Sequence, residues 1–168
     1  QCDKDLCEEK FYPATVDPKA LCNLASQLPK ETVKQITGPL LGKRPNTYTF
    51  TKSLAEDVIR TDAQDLPISI FRPSIIVCTD KAPIPGWSDN LNGPGGFYLA
   101  VSLGLMRCMP GDNEAKSDVV PVDYCANMVI AIGWRTGMKY QAEKEIKIYN
   151  CVTGATQPVY WGIHNQDI

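Results

Sequence analysis

Apolar residues repeat along this chain first with the period of helices and then with that of strands. Leu21, Leu24, Ala25 and Leu28 recur at helical spacing, and Asp17-Pro18 ahead of them is a helix start. Asp supplies the cap and Pro fits the first turn. Pro29 interrupts the pattern, and Val33 and Ile36 predict a second short helix ending before Gly38-Pro39. The clearest helix follows Pro45-Asn46 and runs from about Thr47 to Arg60. Phe50, Leu54 and Val58 form one stripe, with Thr51, Ala55 and Ile59 beside it. The run Leu66–Phe71, then Pro73 and Ile75-Ile76-Val77, predicts a buried strand of a parallel sheet, ending at Arg72-Pro73 or soon after. A helix followed by a buried strand is half of a βαβ unit.

Residues 79–96 break the periodicity with three prolines and four glycines. A loop of that length inside a domain is usually functional. It leads into an apolar helix holding Phe97, Leu99, Val101 and Leu105. Asp118-Val119-Val120 predicts a short strand, Pro121 to Trp134 a helix stopped near Gly137, and Ile146 to Val152 a last strand closed by Thr153-Gly154. A further element starts at Val159-Tyr160-Trp161-Gly162.

Composition narrows the class. The chain has 168 residues, 43% apolar and 21% charged, enough for one domain with a real core. A net charge of -2 offers no basic surface for nucleic acid. No apolar stretch approaches the roughly 20 residues needed to cross a bilayer. The seven cysteines include no CxxC pair, and the only histidine is His164, so neither zinc nor any other metal is expected. They are expected to be free thiols in a reducing compartment. The opening Gln1-Cys2-Asp3 and the element begun at Val159 give both ends the look of cuts.

The chemistry concentrates in Tyr48-Thr49-Phe50-Thr51-Lys52. Four residues is about one helical turn, so phenol and ammonium leave the same face. A free phenol, with pKa about 10, is a poor acid or base near neutrality. A nearby cation favours the phenolate, and a tuned Tyr can move a proton to or from a substrate oxygen. The spacing alone also describes a solvated surface pair. The strand and Gly/Pro-rich loop behind it strengthen the catalytic reading, because open α/β sheets bind ligands at strand carboxyl ends.

Asn46-Thr47-Tyr48-Thr49-Phe50-Thr51-Lys52-Ser53-Leu54-Ala55-Glu56 resembles the active-site helix of the fatty acyl-CoA reductases, within the extended short-chain dehydrogenase/reductases. Arg72-Pro73-Ser74-Ile75-Ile76 is similar to their segment lining the nicotinamide. Pro85-Gly86-Trp87-Ser88-Asp89-Asn90-Leu91-Asn92-Gly93-Pro94 resembles the loop that sets them apart. Val119–Tyr124, Tyr149-Asn150-Cys151, Cys2-Asp3 and Glu8–Pro13 extend the match over essentially the whole chain.

The resemblance implies a Rossmann-type, doubly wound parallel α/β sheet of which residues 1–168 are only the later part, truncated at both ends. The glycine turn that holds the pyrophosphate, the catalytic Ser and the C-terminal membrane-association signal are absent from these residues. It implies NADPH-dependent reduction of long-chain acyl-CoA to fatty alcohol on the cytosolic face of a peroxisomal or endoplasmic reticulum membrane. Tyr48 and Lys52 would be catalytic and bind cofactor, and Pro73, Ser74 and Ile75 would flank the nicotinamide. Trp87, a loop tryptophan, is a substrate contact or simply a loop side chain.

Blander roles stand beside these. Phe97–Val101 is an acyl channel wall or simply core, Asp123 a ligand contact or a helix cap, and Lys116 and Arg107 CoA contacts or solvated charges. His164 receives no role. Two rival functions remain: another extended reductase, of the sugar epimerase or steroid dehydrogenase type, and a nucleotide-binding descendant without turnover.

Overall fold

The computed structural model describes residues 6–108 and 111–162, so Gln1, Cys2, Asp3 and His164 lie outside the described residues. Two units emerge. The first takes residues up to Ile70 together with Thr136–Tyr149, and the second takes Phe71–Arg135 with the residues from Asn150 onward.

The first unit is built on helices α1 (Pro18–Gln27), α2 (Lys30–Leu41) and α3 (Thr47–Asp62), with α1 and α2 packed on α3. Asp17 caps α1 by accepting from the amide of Lys19, as its place before Pro18 predicts. Lys19 then ties α1 to α3 through Asp62, at 2.9 Å. The second helix outruns its expected end. It continues past Gly38-Pro39 to Leu41 and stops at Gly42, whose φ of 58° suits a residue without Cβ. Pro39 removes one hydrogen-bond donor, which a single remaining half-turn tolerates.

The third helix keeps its predicted start, but its buried face is different. Phe50, Ser53 and Asp57 are buried, while Val58 is exposed and Leu54 half-buried. Polar residues occupy this face because they are paired there. Arg44 Nη2 donates to Ser53 Oγ at 2.7 Å, and Arg60 holds the Asp57 carboxylate at 2.7–2.8 Å.

The strand predicted over residues 66–77 is present as two pieces, β1 (Ser69–Pro73) and β2 (Ile75–Val77). Pro73 has no N–H for a ladder, and the pairing changes there. The next amide, Ser74 N, donates to Cys151 O at 3.0 Å, and Ile75 N donates to Asp118 O at 3.1 Å. Accordingly β1 pairs with β5 (Lys147–Cys151), and β2 pairs in parallel with β4 (Val119–Pro121), Ile76 opposite Val120. The expectation of burial fails for Ile75 and Ile76, which are 53% and 45% exposed. Among the described strands β2 has only β4 beside it, so its side chains lack the cover of a full parallel sheet.

Helix α4 (Pro94–Ser102) opens at Gly93-Pro94 and ends before the predicted Leu105, which is exposed. A short antiparallel pair joins β3 (Lys116–Ser117) to β6 (Val159–Tyr160), the element begun at Val159. The core of the second unit is Val120, Cys125 and Cys151, with Phe71 and Met128 packed against it.

Helix α5 (Val122–Glu143) does not stop near Gly137. One interior glycine costs only about 1 kcal/mol, and later residues are anchored within the first unit. Thr136 Oγ1 lies 2.7 Å from Ser69 Oγ, and Tyr140 OH donates to Gln64 O at 3.3 Å. The helix ends instead at Lys144, with φ of 46°.

Among the described cysteines, Cys22, Cys78, Cys108, Cys125 and Cys151 are free thiols. Cys125 is pushed up to about 12, first by burial and then by the neighbouring Cys151 thiol. Two consequences can be measured. Iodoacetamide on the native chain at about pH 7.5 is expected to label exposed Cys22, Cys78 and Cys108, and Cys125 and Cys151 only after unfolding. A Cβ on Gly96 would lie 2.2 Å from Leu91 O, whereas one on Gly95 would sit an ordinary 3.7 Å from Asn90 O. In urea melts, Gly96→Ala is expected to lose about 1–3 kcal/mol, and Gly95→Ala to stay near wild type.

Candidate active site

Local chemistry fixes the tyrosine–lysine pair. Asn46 Oδ1 accepts from Thr49 N at 2.9 Å, which starts α3 one residue before Thr47. Tyr48 therefore occupies the first turn and Lys52 the next. The structure brings the two together, with Lys52 Nζ 5.7 Å from the centre of the Tyr48 ring. Tyr48 is 60% exposed, on the side of α3 away from Phe50, Ser53 and Asp57. Among the described residues neither the Tyr48 hydroxyl nor the Lys52 ammonium is committed to a hydrogen bond or ion pair. An accessible phenol with a cation against it is equipped to exchange a proton with a bound oxygen.

The remaining candidates belong to the second unit. Pro73, Ser74 and Ile75 form the junction between β1 and β2. The Ser74 hydroxyl is buried and has no hydrogen-bond partner among the described residues, an unusual state for a buried polar atom. Trp87 lies in the loop between β2 and α4 and is 47% exposed.

That loop is more ordered than its Pro/Gly content predicts. Buried Thr79 closes it on itself: Thr79 N donates to Trp87 O at 3.1 Å, and Gly86 N donates to Thr79 O at 2.8 Å. Trp87 N donates to Thr79 Oγ1 at 3.0 Å, and the Thr79 hydroxyl donates to Ile84 O. Beyond it, Asn90 Oδ1 accepts from Asn92 N at 3.0 Å, and the Asn90–Leu91 backbone lies against Gly95 and Gly96 of α4.

Sequence reasoning passed over Thr79 and treated Asp123 only as a cap or a ligand contact. Asp123, in the first turn of α5, accepts from three successive loop amides: Asp80 at 3.1 Å, Lys81 at 3.0 Å and Ala82 at 3.3 Å. Tyr124 OH adds a bond to Asp80 Oδ2 at 2.8 Å. Partial loss of water would raise the Asp123 pKa, but the amides outweigh it and hold the carboxyl down at about 2. Tyr124 is raised, first by its bond to Asp80. The available signal was a carboxylate at the start of a predicted helix, and it does not name the partner.

Phe97 stacks edge-on against Tyr98 and Trp161, with ring centres 5.5 and 6.0 Å apart. Burial raises the Tyr98 pKa, with Cys78 adding to the effect. Arg107 donates to Gly104 O at 3.3 Å, and Lys116 pairs across from Tyr160 in β3. No cluster able to hold a metal ion occurs among the described residues. No described helix is long and apolar enough to cross a membrane.

Helices alternating with strands, and the parallel pairing of β2 with β4, are the architecture of an NAD-binding α/β domain. Residues 1–129 match the model of an NAD-binding family described as male sterility protein, and the chain belongs to that family. It is 43% identical over 161 residues to fatty acyl-CoA reductase 1 of Xenopus laevis, and 42% identical over 161 residues to that of Homo sapiens. It is 38% identical over 160 residues to fatty acyl-CoA reductase 2 of Mus musculus. These alignments cover 95–96% of the chain and 31% of each relative, so the chain spans about a third of their length.

The depressed carboxyl gives a pH prediction. A folded pKa near about 2 against an ordinary 3.8 means Asp123 stabilises its loop above about pH 4. That contribution is lost as pH falls from about 4 to about 2. An acid titration followed by tryptophan fluorescence is expected to show a transition in this window that Asp123→Ala lacks.

Proposed function

We propose that this chain is the tyrosine–lysine part of a reductase domain that converts long-chain fatty acyl-CoA to fatty alcohol with NADPH. The observation carrying the proposal is the exposed Tyr48 hydroxyl with Lys52 Nζ 5.7 Å from its ring, on a chain similar end to end to fatty acyl-CoA reductases. The domain is of Rossmann type, and residues 1–168 are its later part. Its glycine turn and catalytic Ser would come from outside these residues.

When bound, NADPH supplies hydride; the chain supplies placement and proton transfer. Tyr48 donates a hydrogen bond to the thioester oxygen as negative charge builds on it, with the Lys52 cation beside it adding to that stabilisation. Collapse of the tetrahedral adduct breaks the carbon–sulfur bond and releases CoA as thiolate. Tyr48 protonates the alkoxide formed when the aldehyde is reduced, which completes the alcohol. Each acyl group therefore consumes two NADPH. Lys52 also holds the nicotinamide ribose, Pro73, Ser74 and Ile75 flank the ring, and Trp87 contacts the acyl-CoA. Work on the cytosolic face of a peroxisomal or endoplasmic reticulum membrane fits the free thiols and the hydrophobic product.

Purified full-length protein with palmitoyl-CoA and NADPH tests this. Mass spectrometry is expected to find hexadecanol, with two NADPH oxidised per alcohol. Tyr48→Phe is expected to keep folding and cofactor binding and to lose at least about 100-fold in turnover. Lys52→Met is expected to weaken both turnover and NADPH affinity. Turnover of nucleotide sugars with no use of acyl-CoA, or near-normal turnover in Tyr48→Phe, would overturn the assignment.

A further inference from the structure

A carboxylate in the first turn of a helix commonly serves the amides of its own helix. Asp123 is used differently. Its oxygens take the amides of Asp80, Lys81 and Ala82, from a segment more than 40 residues earlier in the chain. Tyr124 fastens the same segment through Asp80. Five residues after Ala82 stands Trp87, whose amide and carbonyl are both bonded to Thr79. The segment 79–87 is thus closed at its neck by Thr79 and fixed along one arm by Asp123, with the indole half exposed. Three charge-assisted bonds from a rigid helix end define where such a loop sits far better than loop sequence can.

We propose that Asp123 is a positioning residue for substrate: it holds the 79–87 loop in one conformation so that Trp87 is presented to acyl-CoA already placed. The inference rests on the reading of Trp87 as a substrate contact. It assigns Asp123 no contact with the reacting atoms. Loss of the clamp lets the loop wander, so binding pays an ordering cost that the wild type avoids.

Two measurements on the full-length protein test it. Hydrogen exchange read by mass spectrometry is expected to show the amides of residues 80–82 exchanging at least about tenfold faster in Asp123→Ala. Asp123→Asn, which keeps one acceptor oxygen and guards against misfolding, should fall between the two. In steady-state assays Asp123→Ala is expected to raise KM for palmitoyl-CoA about tenfold, with KM for NADPH and kcat changed little. Trp87→Ala should do the same, and adding Asp123→Ala to it should cost nothing more. Faster exchange with an unaltered palmitoyl-CoA KM would overturn the positioning role while leaving the reductase assignment intact. So would additive effects of the two substitutions. Wild-type protein that ignores palmitoyl-CoA would overturn the reductase assignment, and the substrate role of Asp123 with it.

Discussion

The second unit depends on one change of hydrogen-bonding partner along a single stretch of chain. Up to Pro73 the stretch pairs with β5; from Ile75 it pairs with β4. Proline cannot donate to a ladder, so the switch falls where the ladder is already weakest. Ser74 and Ile75 donate in turn to Cys151 and Asp118, which draws the segments before and after α5 onto the same stretch. Val120, Cys125 and Cys151 can then close as one core, with Phe71 from β1 against them. The same junction leaves the Ser74 hydroxyl buried and without a partner among the described residues.

The tyrosine–lysine pair owes its geometry to far less. A helix turn of 3.6 residues and a cap at Asn46 suffice to set Lys52 against the Tyr48 ring. The rest of α3 is turned inward by polar contacts, with Arg44 on Ser53 and Arg60 on Asp57. Burial of that polar face leaves the opposite side, with Tyr48 and Lys52, in solvent. A chemically useful surface is here the by-product of an inward face satisfied by hydrogen bonds rather than by apolar packing alone.

Loop order illustrates a different economy. Prolines and glycines make 79–96 irregular, yet Thr79 and Asp123 give its first half a defined shape without any regular element. The second half is fixed by absence of side chain: the backbone at Leu91 approaches α4 so closely that Gly96 admits no Cβ. Side-chain acceptors and bare backbone achieve between them what a strand would otherwise do.

Features that depend on neighbours in sequence were legible in it. Asp17 before Pro18 started α1, Asn46 started α3, the Tyr48–Lys52 spacing gave a common face, and the Pro/Gly run gave the loop. Each involves groups within about one helical turn, where covalent geometry leaves few alternatives. What failed were judgements needing a partner far along the chain. Leu54 and Val58 were expected inside and Ser53 and Asp57 were not, because only tertiary packing brings α1 and α2 onto α3 and Arg44 onto Ser53. Gly137 was expected to end α5, but Thr136 and Tyr140 find partners at Ser69 and Gln64 that no local pattern announces. Asp123 was visible as a carboxylate at a helix start; that it grips amides more than 40 residues away was decided by the fold alone, since a hydrogen bond carries no record of sequence separation.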